Sequence, residues 1–107
     1  MEFIISHADI TAPNGDRAIG IDVQGNLGDL GIVGVATELA NQDGDKTGRN
    51  HLADEAIVTG NRNDGATYIV RPNYFRTISS GDIAKAVANL INPCGVHDIS
   101  FEPPLDR

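Results

Sequence analysis

A polar stretch over residues 43–54 carries oxygen-bearing side chains at a spacing that resembles a calcium-binding loop. Ligands at template positions one, three, five and twelve would be Asp43, Asp45, Thr47 and Asp54. Gly48 takes position six, where the EF-hand loop needs a glycine for its sharp turn around the ion. Thr47 and Asp54 are poorer ligands than the template uses, and an ordinary polar surface loop has the same composition. The stretch predicts either a Ca²⁺ site or a plain loop.

A histidine and two carboxylates overlap the end of that stretch. If residues 51–58 form a helix, His51 shares a face with Asp54 and Glu55, because side chains three and four positions apart meet. An imidazole beside a carboxylate can exchange protons with a substrate or supply half of a metal site. His51 and Glu55 are therefore the candidate catalytic pair. The alternative is a solvated first helical turn, where acidic residues are favoured by the helix dipole.

A short basic and aromatic stretch precedes the clearest helix of the sequence. Arg71, Tyr74 and Arg76 lie just ahead of Ser79 and Ser80, where that helix begins. A helix N-terminus presents backbone N–H groups without intrahelical acceptors, and these groups attract anions. These five residues are the candidate site for a small anionic ligand or a protein partner. In the structural alternative, Ser79 only caps the helix, Tyr74 packs, and the arginines pair with surface carboxylates.

Two further histidines and the single cysteine give weaker signals. His7 and His97 lie in predicted strands, where a lone histidine is more often a hydrogen-bonded core residue than a catalyst. They would approach each other only if the first and last strands pair. Cys94 has no cationic neighbour in sequence to lower its pKa, which argues against a nucleophilic role.

The composition indicates one small acidic domain. The chain has 107 residues, a formal net charge of −7 and one cysteine. Its charge opposes binding to nucleic acid, because contacts to phosphates depend on lysine and arginine. A single cysteine allows no internal disulfide, and no stretch is apolar enough for a membrane span, so we expect a cytoplasmic protein. Domains of this size often gain stability by associating, and a homodimer is expected.

Alternation of apolar and polar residues predicts several strands. The clearest are residues 3–10, 19–23, 66–70 and 96–102. The first two flank a Pro-Asn-Gly-Asp turn, which favours an antiparallel hairpin. Pro72 has no backbone N–H to donate, so it must lie either in an edge strand or at the end of its strand.

One helix is well specified, and the middle of the chain is ambiguous. Ser79 and Asp82 form a variant of the capping box, and apolar residues at helical spacing follow to Ile91. Residues 30–39 fit a helix or a strand; the glycines and the β-branched run favour a strand at their start. Residues 51–58 remain open between the two states.

These elements predict an α+β fold. We expect a mainly antiparallel sheet of about five strands, with a helix over residues 80–91 and one or two others on one face. The absence of a recognised catalytic constellation favours a binding or interaction module without enzymatic activity. A small enzyme using His51 and Glu55, or a cation-binding loop at residues 43–54, is the alternative.

Overall fold

The computed structural model describes residues 3–25, 27, 31–41, 51–91 and 99–105. Its elements are β1 (Phe3–Thr11), β2 (Arg17–Gln24), α1 (Gly31–Asn41), β3 (Ala53–Arg62), β4 (Gly65–Pro72), α2 (Ser80–Ile91) and β5 (Ile99–Glu102). The five strands form one sheet in the order β3-β4-β2-β1-β5, and β5, parallel to β1, makes the one parallel pair among them. The predicted α+β fold with a mainly antiparallel sheet is confirmed.

Two crossovers explain where the helices lie. β2 and β3 run parallel with β4 between them, and α1 connects them. β4 and β5 also run parallel, separated by β2 and β1, and α2 connects them. Crossovers between parallel strands are almost always right-handed. The second crossover reverses both the strand direction and the direction of travel across the sheet, so the same handedness places both helices on one face.

A single row of side chains across the sheet shows that both helices do lie on that face. His7 pairs with Ile21 on β2, and Ile21 pairs with Tyr68 on β4, so the three side chains share a face. His7 contacts Ser80 at the start of α2, and the Tyr68 hydroxyl donates a 2.7 Å hydrogen bond to the carbonyl of Ile32 in α1. Burial raises the pKa of Tyr68 to about 12. This row of side chains therefore contacts α2 at its His7 end and α1 at its Tyr68 end.

The α1 segment corrects the strand that the sequence favours at the start of residues 30–39. Gly31, with φ of 76°, stands at the first position of the helix and so does not break its interior. Val35 and Leu39 are completely buried, whereas Val33 is 70% exposed. Packing of one apolar stripe on the sheet outweighs the helix cost of about 1 kcal/mol at Gly34.

The capped helix forms as predicted. The Ser79 hydroxyl accepts a 3.1 Å hydrogen bond from the Asp82 backbone N–H, and the Asp82 carboxylate accepts a 2.9 Å bond from the Ser79 N–H. Both halves of the capping box are thus present, and they fix the first turn of α2. None of the described helices is long and apolar enough to cross a membrane.

The second ambiguous segment is a strand. β3 pairs with β4 and forms one edge of the sheet, with register irregularities after Ala53 and after Val58. Such irregularities bend an edge strand and weaken its pairing with other chains. His51 and Glu55 therefore do not share a helical face.

Candidate functional site

A cavity at one end of the sheet brings together three arginines from three segments. Its volume is about 330 Å³. It is lined by Asp16, Arg17, Asp54, Arg71, Pro72, Asn73, Tyr74 and Arg76. We call it the cationic cavity. Its lining includes three arginines and two aspartates, which is an excess of one positive charge within an acidic chain.

Strand register explains how a residue near the N-terminus enters this cavity. β2 and β4 are antiparallel with Ile19 opposite Val70, so the start of β2 and the end of β4 meet at one end of the sheet. Arg17 and Arg71 are therefore neighbours in space.

A tight connection after β4 adds the third arginine. The Asn73 backbone N–H donates to the Leu52 carbonyl at 3.0 Å, and the Arg76 N–H donates to the Asn73 carbonyl at 3.2 Å. The Arg76 guanidinium also donates to the His51 carbonyl at 3.2 Å. Asn73 is 1% exposed, and its side-chain amide donates to the same carbonyl at 2.7 Å. The connection is thus built around a buried polar side chain.

Two of the cavity's arginines make ion pairs that remain open to solvent. Arg17 contacts Asp9 at 2.8 Å, and Arg71 contacts Glu55 at 3.2 Å. Each of these four side chains is about half exposed. Exposed pairs of this kind stabilise a fold by about 0–1 kcal/mol. An incoming anion can therefore compete for these guanidinium groups at small cost.

Two exposed aromatic rings stand beside the arginines. Tyr74 is 85% exposed and Phe75 is 59% exposed, and the two rings meet edge to face with their centroids 5.4 Å apart. Tyrosine and arginine are enriched where proteins bind other molecules. The sequence-based alternative in which Tyr74 packs in the core does not apply.

The predicted anion-binding residues are divided between two cavities. Arg71, Tyr74 and Arg76 line the cationic cavity together, whereas Ser79 and Ser80 line a separate one. Sequence reasoning missed Arg17, because only the strand register places it beside Arg71.

The second cavity has a volume of about 450 Å³ and lies at the start of α2. It is lined by His7, Ser79, Ser80, Gly81, Asp82, Lys85, Pro103, Pro104 and Leu105. We call it the His7 cavity. Its walls come from β1, from the first turns of α2 and from the segment after β5.

His7 is held by two hydrogen bonds to distant parts of the chain. Its Nδ1 lies 2.8 Å from the Ser80 hydroxyl, and its Nε2 lies 2.7 Å from the Pro103 carbonyl oxygen. A carbonyl can only accept, so Nε2 carries the proton and donates it. In the neutral imidazole, Nδ1 is then the acceptor for the Ser80 hydroxyl. No sequence pattern predicts this contact, because 73 positions separate the two residues.

His51 and the predicted catalytic partner Glu55 contact different residues. His51 is 6% exposed, and its Nε2 contacts the Asp54 carboxylate. Glu55 pairs with Arg71 across the neighbouring strand. The other ring nitrogen of His51, Nδ1, is buried without a hydrogen-bond partner in the part of the chain that the structure describes. Among the described residues, the carboxylate that contacts the His51 side chain is therefore that of Asp54.

The predicted calcium loop falls mostly outside the described residues. Asp43, Asp45 and Thr47 belong to residues 42–50, which the structure does not describe. Asp54 is described and contacts His51. Among residues 3–25, 27, 31–41, 51–91 and 99–105, no three His, Cys, Asp or Glu side chains are grouped to hold a metal ion. Calcium binding stays a prediction.

His7 and His97 cannot be compared directly. The first and last strands do pair, with Phe3 opposite Ile99 in a parallel arrangement. His97 and Cys94 lie outside the described residues. No protein-family model, curated protein or solved structure matches this chain. Its function must therefore be argued from the two cavities.

Proposed function

We propose that this protein is a binding module that holds a small anion bearing a planar group in the cationic cavity. One observation carries the proposal: Arg17, Arg71 and Arg76, from three separate segments, line the same 330 Å³ space. Cavities of about 300–1,000 Å³ are typical of small-molecule sites.

Charge supports an anionic ligand. Arginine is suited to phosphate and carboxylate because its planar guanidinium can donate two parallel hydrogen bonds. A ligand anion would offer Arg17 and Arg71 an acceptor at little cost, since their existing ion pairs are exposed and weak. The charges of Asp16 and Asp54 at the same cavity disfavour highly charged ligands. We therefore expect a ligand with a single phosphate or carboxylate group.

The aromatic rings support a planar group on that ligand. The exposed Tyr74 ring lines the cavity, and Phe75 braces it through an edge-to-face contact. An aromatic pair of this geometry contributes about 0.5–1.5 kcal/mol beyond area burial. A ligand ring stacked on Tyr74 would gain a contact of the same kind.

Calorimetric titration with phenyl phosphate and with inorganic phosphate tests the proposal. We expect phenyl phosphate to bind more tightly, because only it reaches both the arginines and Tyr74. The double variant Arg71→Gln, Arg76→Gln should lower affinity for both compounds at least tenfold. Tyr74→Leu should weaken phenyl phosphate about threefold to tenfold and leave inorganic phosphate unchanged, since one aromatic contact is worth about 1 kcal/mol.

Arg62→Gln is the matched control for each of the single variants Arg71→Gln and Arg76→Gln, because all three remove one positive charge and Arg62 lies outside the cavity. Arg62 contacts Asp22 on β2, at 3.2 Å. Equal affinity in Arg62→Gln and in the two single variants would show that overall charge, and not this cavity, determines binding. Absence of phenyl phosphate binding by the unmodified protein at millimolar concentration would contradict the proposal.

Two expectations about the protein's surroundings also stand as proposals. A homodimer fits the exposed Ile57, which is 46% exposed and pairs with Ile69 on the face of the sheet opposite Tyr68 and the helices. An obligate dimer would unfold with a midpoint that rises with protein concentration, whereas a monomer's midpoint would not change. A cytoplasmic location rests on composition alone.

A further inference from the structure

We propose that the His7 cavity is a second, chemically active site, in which Ser80 is a nucleophile and His7 its general base toward small carboxylic esters. This inference uses none of the residues assigned to anion binding in the cationic cavity. It rests on a hydroxyl, an imidazole and a carbonyl arranged in one hydrogen-bonded series and opening into a 450 Å³ space.

The imidazole is fixed in the tautomer that a base requires. His7 is 8% exposed, and its Nε2–H donates to the Pro103 carbonyl oxygen. That bond leaves the Nδ1 lone pair directed at the Ser80 hydroxyl, 2.8 Å away. A nucleophile within hydrogen-bond reach of a base, with the base oriented by a third group, is the recurrent arrangement of acyl-transfer enzymes. Here a backbone carbonyl takes the orienting position.

The third group also sets an expectation for the rate. A carbonyl is neutral, so it stabilises a charged imidazolium less than a carboxylate would. We therefore expect slow turnover.

The position of Ser80 at the start of α2 supplies a donor for the developing negative charge. The backbone N–H groups of the first helical turn have no acceptor within the helix. Gly81 follows Ser80 and offers such an N–H, as the residue after the nucleophile does in hydrolases whose serine begins a helix.

Gly81 also allows α2 to lie close to the segment after β5. A Cβ atom at this position would lie 3.2 Å from the Leu105 Cδ2 and 3.9 Å from the His7 Cε1. The missing side chain therefore lets the first turn of α2 pack directly against Leu105 and beside the imidazole.

The reaction proceeds in two balanced steps. The Ser80 oxygen attacks the ester carbonyl while its proton moves to His7 Nδ1, and the collapse of the adduct returns that proton to the departing alcohol. Water then attacks the acyl-Ser80 carbonyl, His7 takes a proton from the water, and the carboxylic acid leaves as Ser80 regains its proton. The net change is ester plus water to acid plus alcohol, with no oxidant or cofactor.

The walls indicate a short acyl group. Pro103, Pro104 and Leu105 supply apolar lining from the segment after β5, and Asp82 and Lys85 supply charged groups from α2. Esters of short-chain acids, with an uncharged or anionic alcohol portion near Lys85, fit this combination best.

A fluorophosphonate probe, read by intact mass and peptide mapping, tests the nucleophile directly. We expect one phosphonyl group per chain on Ser80 and at least a tenfold slower reaction in His7→Gln. Ser80→Ala should abolish labelling. Ser100→Ala, at an exposed serine of β5, is the matched control and should label like the unmodified protein. Hydrolysis of p-nitrophenyl acetate should fall at least tenfold in Ser80→Ala and stay unchanged in Ser100→Ala.

Each result decides the matter. Labelling on another residue, no labelling of the folded protein, or equal ester hydrolysis by Ser80→Ala and the unmodified protein would overturn the proposal. If His7→Gln fails to fold, Ser80→Ala still decides, because it removes only a half-buried hydroxyl. Binding of phenyl phosphate in the cationic cavity is measured separately, so each proposal can fail alone.

Discussion

His7 and His51 are both buried, at 8% and 6% exposure, and both contact a polar partner. They differ in how many of their ring nitrogens are hydrogen-bonded. His7 bonds through both ring nitrogens, to α2 on one side and to the segment after β5 on the other. His51 contacts Asp54 through one nitrogen and leaves the other buried without a partner among the described residues. Of the two histidines, only His7 lines the cationic cavity or the His7 cavity.

The difference indicates that the fold depends more on the side chain of His7 than on that of His51. The His7 imidazole joins β1 to two segments far away in sequence, so its loss would leave one polar group unpaired in each of those two segments. At His51 the backbone carbonyl is the bonded group, since it accepts hydrogen bonds from Asn73 and Arg76. The imidazole of His51 adds little, because one buried nitrogen already lacks compensation.

Of the substitutions that test this comparison, Asn73→Ala should lower the free energy of unfolding the most. It removes the amide that donates to the His51 carbonyl and the oxygen that accepts from the Phe75 N–H at 2.9 Å. A fully buried amide with two bonds predicts a loss of about 3 kcal/mol in unfolding free energy. Urea denaturation measures it. A loss below that of His51→Leu would mean that the backbone around His51 is held by something else.

His7→Leu should come second. Leucine fills a similar volume but leaves the Pro103 carbonyl and the Ser80 hydroxyl without their partner. We expect the unfolding free energy to fall by about 2 kcal/mol, because an uncompensated buried acceptor costs about 1–3 kcal/mol. The measurement is again urea denaturation. An unchanged midpoint would show that water in the cavity replaces the imidazole.

His51→Leu should cost about 1 kcal/mol or less. The substitution loses the contact to Asp54 but also removes a buried nitrogen that has no described partner, and these effects oppose each other. In the same urea titration, this variant should have a clearly higher free energy of unfolding than His7→Leu. Equal losses at the two histidines would remove the distinction drawn between them.

Ser80→Ala should have the smallest effect, about 0.5 kcal/mol. It removes one hydrogen bond at a half-buried position, and the freed Nδ1 of His7 faces a cavity that water can enter. Thermal unfolding followed by circular dichroism measures the change. A stability loss above that of His7→Leu would make Ser80 a structural anchor, in conflict with the role proposed for it.

The parts of the fold that could be predicted are those with local causes. The Pro-Asn-Gly-Asp turn between alternating runs predicts the β1–β2 hairpin, and the Ser79–Asp82 capping box predicts the start of α2. Both depend on residues a few positions apart, whose interactions are the same in any fold. The start of α1 was predicted wrongly as a strand, because its preference is set by packing of Val35 and Leu39 on the sheet.

The candidate sites divide in the same way. Arg71, Tyr74 and Arg76 lie within six positions, and the sequence alone places them near one another. Arg17 joins them only through the register of β2 and β4. Ser80 meets His7 only because two crossovers place α2 over β1. The pairing of His51 with Glu55, inferred from helical spacing, gave way to one with Asp54 once residues 53–62 formed a strand.

By itself, the sequence determined an acidic α+β domain, its first hairpin, the capped helix and a short basic and aromatic stretch beside it. The tertiary structure alone decided the state of α1 and β3, the place of Arg17 in the cationic cavity and the contact between Ser80 and His7. The physical reason is the sequence separation over which each kind of interaction acts. Capping, turns and alternation act over a few residues, whereas strand register and crossover handedness act over tens of residues and depend on the whole sheet.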